Sequence, residues 1–391
     1  MGKSLQARAK KSTDQKIGSF IAVICLVVLY VFLFLLDNAL PSNSTTIMLV
    51  TVLKKGAIYA LVCVSMNLLN GFTGLFSLGQ AGFMLIGAYA YSIFSIPADQ
   101  HASVYQYFDG GAIQFSIPES LGNVLGVNAG NFIGAILCII IGGLVAAVFA
   151  ALIGIPVLRL NGDYLAIVTL AFGEIIKSVL TNTYLAVDKK GLHFSFLTDK
   201  NALEEGGLQL IRGPMGVMNT QRISTFTVGF VLVVITLVVI FNLVNSRTGR
   251  AVMAARDNRI AAESVGISVT KYKMIAFVTS AALAGAAGTL YGCSQTTFVA
   301  TKFDFNTSIL ILVFVVLGGL GNMWGSVIAA AALTILPEAL RQFSDYRMLV
   351  YAIVLILVML ATNNERSKEF FSSLRRKILG RGTEKGGAQN G

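Results

Sequence analysis

The sequence predicts an all-α, polytopic membrane protein that crosses the bilayer about ten times. Of its 391 residues, 55% are apolar and only 13% are charged, whereas a soluble chain needs about a quarter of its residues charged to cover its surface. Uncharged stretches long enough to span a hydrocarbon core about 30 Å thick recur along the chain. These observations argue against a large soluble enzyme, a disordered chain and a secreted disulfide scaffold.

Ten apolar stretches predict the individual spans. They cover residues 17–36, 47–69, 79–96, 132–158, 164–185, 226–244, 274–291, 309–320, 327–340 and 346–361. The first stretch follows a basic amino terminus, but it is longer than the roughly 7–15 apolar residues of a cleavable signal peptide. We therefore expect it to remain as an anchor, and we interpret residues 17–361 as one transmembrane domain.

The positive charges indicate which segments face the cytoplasm. Nineteen of the 30 Lys and Arg residues fall in segments 1–16, 70–78, 159–163, 245–273, 321–326 and 362–391, and basic residues favour the cytoplasmic side. We predict that both termini are cytoplasmic and that the basic tail at 362–391 contacts anionic lipid. Because topology accounts for the net charge of +11, we expect no nucleic-acid partner.

A glycine-rich stretch interrupts the second predicted span. Residues 67–82 contain four glycines among neutral polar side chains. Irregular backbone at membrane depth must be buried in protein or line a water-filled cavity, so we expect either a transport pathway or a tight helix crossing here. A second break, at residues 317–325, lies in the opposite half of the chain. The side chains of the first break that could touch a polar solute are Asn67, Asn70, Thr73, Ser77 and Gln80.

The predicted cytoplasmic loop at 245–273 contains the pattern of a short helix. Asn258 is suited to the N-cap position, Ala261 and Ala262 favour helix, and Gly266 can adopt the left-handed conformation that ends one. We expect about two helical turns between these signals.

Such a helix could dock into a partner protein. Ile260, Ala261 and Val265 would enter an apolar groove. Arg256, Asp257 and Glu263 would fix the register by complementary charge. The alternative interpretation is a solvated helix that lies on the lipid headgroups.

Four stretches of the chain resemble a known family. They read LLNGFTGLFSLGQA at 68–81, NGDYLAIVTLAFGEI at 161–175, GRAV through AESVGI at 249–267, and GGLGNMWG at 318–325. Over about residues 55–361, the sequence resembles the permease subunits of ABC transporters for branched-chain amino acids. It is similar as well to their relatives that import urea and short amides.

The resemblance implies a subunit of an ABC importer in the bacterial inner (plasma) membrane, which moves a small-molecule substrate by alternating access. It implies a second, related permease subunit, ABC ATPase subunits and an external solute-binding protein. The chain contains no Gly-x4-Gly-Lys-Ser/Thr phosphate cradle, so we expect no ATPase site and no cofactor, and energy would enter through a contact. The resemblance assigns that contact to the helix around residues 256–266, with Arg256, Asn258, Ala261, Ala262, Glu263 and Gly266 as the coupling residues.

Two other classes of function remain open. A secondary transporter driven by an ion gradient would use an intramembrane carboxylate, for which Glu174 is the best candidate, although Lys177 one turn later predicts a simple ion pair. An intramembrane enzyme would need a nucleophile with a base or a metal site, and both histidines, His101 and His193, lie outside the predicted spans. Asp163 either caps the span that follows it or contributes to an inner gate. We therefore predict no catalytic residue and no metal site.

Overall fold

The structure is a computed structural model that describes residues 44–95, 116–158, 163–188, 191–195, 208–212, 226–295, 297–340 and 346–363. The predicted span at 17–36 and the basic segment 1–16 lie outside these residues. The helices that the structure describes are α1 Ser44–Asn67, α2 Gln80–Ser95, α3 Ile117–Leu125, α4 Val127–Val157, α5 Asp163–Asn182, α6 Phe226–Asn245, α7 Arg247–Asp257, α8 Arg259–Ser264, α9 Val269–Ser294, α10 Phe305–Gly318, α11 Met323–Ala339 and α12 Arg347–Asn363. A π-helix, Leu68–Thr73, continues α1, and a 3-10 turn, Ala300–Lys302, precedes α10.

The predicted helical membrane fold is confirmed. Within the described residues, six helical stretches are long and apolar enough to cross a membrane. They are Val50–Thr73, Gly130–Val157, Tyr164–Asn182, Val228–Asn245, Val269–Ser294 and Ala300–Gly318, and Met323–Glu338 is a shorter apolar helix. The total of ten spans and the cytoplasmic placement of both termini stay predictions.

Helix α9 lies at the centre of the bundle and packs against α4, α2 and α1. Small residues allow this close approach: a Cβ added to Gly87 of α2 would overlap the carbonyl oxygen of Gly285, and one added to Gly288 would overlap that of Met84. Helices in a membrane associate mainly through van der Waals packing, which favours such small residues at the crossing. The glycines of α2 and α9 therefore bring the two backbones into direct contact.

We expect the substitution Gly87→Ala to destabilise the bundle, because the new methyl group can be accommodated only if α2 separates from α9. Overpacking of this kind costs about 1–3 kcal/mol, which corresponds to several degrees in the midpoint of thermal unfolding in detergent. Gly56→Ala is the matched control, since its Cβ would meet the Ala331 Cα at an ordinary 3.7 Å. Equal midpoints for the two variants would contradict this account of the crossing.

The outer faces of α4, α5 and α6 present large apolar side chains. Leu144, Leu152, Ile167 and Val238 are each more than half exposed. A soluble protein buries most side chains of this kind, whereas lipid tails are as apolar as leucine. These faces are therefore the lipid-contacting surface of a multi-pass membrane protein.

The long segment between α5 and α6 contains a small antiparallel sheet, which the all-α prediction did not include. Strand β1, Tyr184–Asp188, lies between β2, Gly191–Ser195, and β3, Leu208–Arg212. Leu185 is paired with Phe194, and Val187 with Leu192. Runs of five residues are too short to stand out against the helical signal, so the sequence does not predict these strands. The sheet contacts the end of α5 through β3.

Candidate functional site

The first break begins where α1 ends. The chain passes into the π-helix at Leu68 and leaves it at Gly74, whose φ of 65° is left-handed and therefore favours glycine. The N–H of Gly74 donates to the carbonyl oxygen of Leu69, which closes the helix end. Residues 74–79 then run without regular structure until α2 begins at Gln80. Single turns of π-helix occur frequently at functional sites.

The second break separates α10 from α11. Gly319 and Gly321 have φ values of 91° and 81°, so the chain reverses through conformations that other residues rarely adopt. Asn322 then caps α11, with its side-chain oxygen accepting from the N–H of Gly325 at 3.2 Å. An N-cap of this kind satisfies one of the free N–H groups at a helix start.

Asn67 joins the two breaks. Its Oδ1 accepts from the N–H of Gly321 at 2.8 Å, and its Nδ2 donates to the Asn322 carbonyl oxygen at 3.0 Å and to the Ser326 hydroxyl at 2.8 Å. The side chain is fully buried. A Cβ on Gly71 would lie 2.9 Å from the Gly321 Cα, so the two backbones also touch. A buried amide with partners on both its atoms fixes the relative position of the segments that it connects.

The other predicted pathway residues are buried around the first break. The Oδ1 of Asn70 accepts from the N–H of Ser77 at 3.1 Å, the Thr73 hydroxyl donates back into the π-helix, and the Nε2 of Gln80 donates to the Ser280 hydroxyl of α9 at 2.9 Å. Two buried atoms, Asn70 Nδ2 and Gln80 Oε1, have no hydrogen-bond partner among the described residues. The described residues thus leave one buried amide donor and one buried amide acceptor unsatisfied beside the first break.

The loop at 245–273 folds into the helices α7 and α8. Ser246 caps α7 by accepting from the N–H of Gly249 at 3.2 Å, and Asn258 caps α8 by accepting from the N–H of Ala261 at 3.0 Å. Gly266 follows α8 with a φ of 83°. The predicted N-cap at Asn258 and left-handed stop at Gly266 are confirmed.

Helix α8 presents two large apolar side chains to the outside and anchors itself through a small one. Ile260 is 80% exposed and Val265 is 73% exposed. Ala262 is buried against Ala255 of α7 and Val269 of α9. Ala262, one of the coupling residues that the resemblance implies, fixes α8 to the rest of the chain through its side chain.

Four charged residues of the loop form two ion pairs within it. Arg259 Nε lies 2.9 Å from Glu263 Oε1, one turn along α8. Arg256 Nη2 lies 2.9 Å from Asp257 Oδ1. Each pair is at least partly exposed, so it contributes on the order of 1 kcal/mol or less.

Arg256 also reaches out of the loop to the first break. Its Nη1 donates to the carbonyl oxygen of Gly71 at 3.0 Å. Its side chain crosses Gly74 so closely that a Cβ there would lie 2.6 Å from the Arg256 Cγ. Carbonyl groups in the last turn of a helix have no intrahelical partner and attract a cation. The guanidinium of Arg256 satisfies this need within its own chain.

We call the place where these segments meet the junction: residues 67–79, 246–258 and 319–326. Each of the three segments includes residues that the charge pattern predicts to lie on the cytoplasmic side of the membrane. Asn67 connects the first to the third, and Arg256 connects the second to the first. Ser326 of the third segment accepts from Asn67, and Ser280 accepts from Gln80, which directly follows the first segment. The sequence did not single out either serine.

Glu174 lies outside the junction and forms the predicted ion pair with Lys177. Its Oε1 also accepts from the N–H of Phe305 at 2.8 Å, where α10 begins, and a carboxylate is favourable at a helix start. Both contacts of Glu174 are made within the chain, and whether it also acts as a gate stays a prediction. Asp163 is the first residue of α5, but its side chain lies outside the described part of the structure, so a capping or gating function stays a prediction. The described residues include no group of three or more His, Cys, Asp or Glu placed to hold a metal ion.

Most of the chain matches a known protein family. The family model described as branched-chain amino acid transport system, permease component, matches residues 48–359, a range that includes the whole junction. The chain belongs to this family. It is therefore a permease component, as the four motifs in the sequence indicated.

Two proteins similar to this permease carry the same name, high-affinity branched-chain amino acid transport system permease protein LivM. The one from Salmonella typhimurium is 34% identical over 313 residues, and the one from Escherichia coli is 33% identical over 314 residues. Each match covers 78% of this chain and 66% of the relative's own length. The fructose import permease protein FruG of Bifidobacterium longum is 28% identical over 178 residues, 42% of this chain and 51% of FruG. No solved structure matches the chain.

Proposed function

We propose that this permease is the membrane-spanning subunit of an ATP-driven importer for branched-chain amino acids in a bacterial plasma membrane. It would work with separate ATPase subunits, a second, related permease subunit and an external solute-binding protein. The permease itself would carry out no covalent chemistry. ATP binding by the ATPase subunits would favour one of two arrangements of the bundle and so alternate access to the solute pathway.

The main support for this proposal is that α8 exposes large apolar side chains while its inner face is fixed to the rest of the chain. Ile260 and Val265 expose apolar surface on a helix whose start is capped by Asn258 and whose inner face is fixed by Ala262. Helix-in-groove docking requires apolar anchors of this kind. Because Ala262 packs α8 against α7 and α9, a force on Ile260 would move those helices with it.

The solute would pass beside the first break. The free donor Asn70 Nδ2 and the free acceptor Gln80 Oε1 offer partners for a carboxylate and an ammonium group, the two charged groups of an amino acid. Asn67, Thr73 and Ser77 bond to the protein itself. We therefore assign solute contact to Asn70 and Gln80, and the shape of the break to the other three.

The names of the two LivM relatives favour a branched-chain amino acid as the solute. Urea or a short amide is the alternative, because side-chain amides bind such groups as well. In either case the binding protein would contribute to the selection.

Uptake into proteoliposomes tests the proposed function. The liposomes would hold both permease subunits and the ATPase subunits, with ATP enclosed and the binding protein outside. We expect leucine uptake that requires enclosed ATP and does not respond to an imposed proton or sodium gradient. The permease reconstituted alone should accumulate nothing.

Two outcomes would change the proposal. Gradient-driven accumulation by the permease alone would identify a secondary transporter and refute ATP coupling. Uptake of urea or acetamide in place of leucine, isoleucine and valine would retain the importer and replace the solute.

A further inference from the structure

Arg256 occupies a position that docking to a partner does not explain. Ile260 and Val265 project outward, whereas the guanidinium of Arg256 is directed towards the first break. Its three nitrogen atoms are all engaged within the chain, Nη1 with the Gly71 carbonyl and Nε and Nη2 with Asp257 Oδ1. Asp257 thereby holds the planar guanidinium in the orientation that reaches Gly71.

The rest of the contact between α7 and the π-helix is apolar. Leu68 and Phe72 of the π-helix line a small cavity together with Val252 and Met253 of α7. Apolar side chains attract one another without a fixed direction, so this surface permits sliding. Among the described residues, Arg256 to Gly71 is the only hydrogen bond between residues 246–258 and 67–79.

Gly71, whose carbonyl oxygen accepts this hydrogen bond, lies directly against the second break. The backbone of Gly71 touches that of Gly321, and Asn67, four residues earlier, bonds to Gly321 and Ser326. A displacement of Arg256 would therefore reach both breaks through contacts between backbone groups. On the other side, Ala255 next to Arg256 packs on Ala262 of α8.

We propose that Arg256 is a positioning residue that transmits movement of α8 to the two breaks through its hydrogen bond to the Gly71 carbonyl. This inference rests on the proposed function, because it assumes that an ATPase subunit moves α8. Arg256 itself contacts neither the ATPase nor the solute. Its hydrogen bond has a defined direction, so it keeps α7 from sliding along the π-helix on their apolar contact surface.

The test compares Arg256→Gln with Arg250→Gln in the complete transporter. Arg250 lies on the same helix and donates to the nearby Asn245 carbonyl oxygen at 2.8 Å, so its replacement removes the same charge without touching the break. We expect Arg256→Gln to retain ATPase subunits and ATP hydrolysis but to transport roughly tenfold less solute per ATP hydrolysed. Hydrogen exchange of the peptide that contains residues 70–79 should become faster in this variant. Arg250→Gln should match the wild type in all four measurements.

The conservative variant Arg256→Lys keeps the charge but loses the planar fork, so its solute-to-ATP ratio should lie between those of the wild type and Arg256→Gln. If Arg256→Gln does not fold, the solute-to-ATP ratio of Arg256→Lys tests the inference in its place. Loss of ATPase subunits from the Arg256 variants would show a docking residue and overturn the inference. An unchanged solute-to-ATP ratio would overturn it as well. If the wild-type permease never binds ATPase subunits, the proposed function fails, and that result is visible before any variant is made.

Discussion

Replacement of Asn67 with aspartate is expected to abolish uptake and to lower the stability of the permease. The aspartate keeps the acceptor for the Gly321 N–H, but it loses the donor to the Asn322 carbonyl and the Ser326 hydroxyl. It also places a negative charge beside a carbonyl oxygen. Each buried polar group left without a partner costs about 1–3 kcal/mol, and a charged group costs more. Uptake into proteoliposomes should fall to background, and the thermal midpoint in detergent should drop by several degrees.

Ser65→Ala is the matched control for this experiment. Ser65 lies on the same helix and is also fully buried, but its hydroxyl donates to the Val62 carbonyl oxygen within α1, at 2.7 Å. We expect this variant to transport almost like the wild type. If Asn67→Asp behaved like Ser65→Ala, the asparagine would not be what holds the two breaks together.

The substitution Ile260→Asp is expected to prevent ATPase subunits from binding while leaving membrane insertion and folding intact. The side chain is 80% exposed, so an aspartate there meets water in the isolated permease. In a docked state it would place an unpaired charge in an apolar groove. Loss of a central anchor costs about 2–4 kcal/mol of binding free energy, or roughly a 30- to 1,000-fold loss of affinity. Co-purification of ATPase subunits and uptake would both report this loss.

Ser268→Asp adds the same charge at another exposed position, the N-cap of α9, where a carboxylate is favourable. We expect it to bind the ATPase subunits normally. Normal binding by Ile260→Asp would mean that α8 is not the docking element. Loss of binding in both variants would point to a general effect of negative charge on this loop.

Local chemistry in the sequence was enough to predict the long apolar helices of the described residues, the two breaks and the caps of α8. Uncharged runs specify spans, and Asn258 and Gly266 each act on their own neighbours. The contacts that unite the junction are different in kind. Asn67 and Ser326 are 259 residues apart, and Arg256 and Gly71 are 185 apart. No periodicity in a single sequence relates positions so distant.

The same reason explains why the sequence does not reveal the inward contacts of Arg256 and Ala262. A basic residue in a loop and an alanine in a short helix are compatible with either an inward or an outward direction. The direction depends on the acceptor at Gly71 and on the apolar contacts at Ala255 and Val269, which only the folded chain provides. The five-residue strands between α5 and α6 likewise gain their regular structure by pairing with one another.

Helix α2 contains 16 residues, most of them buried in the bundle, whereas α4 contains 31 and exposes much of one face. At about 1.5 Å per residue, α2 extends about 24 Å, which is less than the hydrocarbon core of about 30 Å. Because neighbouring helices screen α2 from lipid, it does not have to match the thickness of the surrounding membrane. On the proposed route beside α2, a solute would therefore pass a shorter helix than those that the outer faces present to the bilayer.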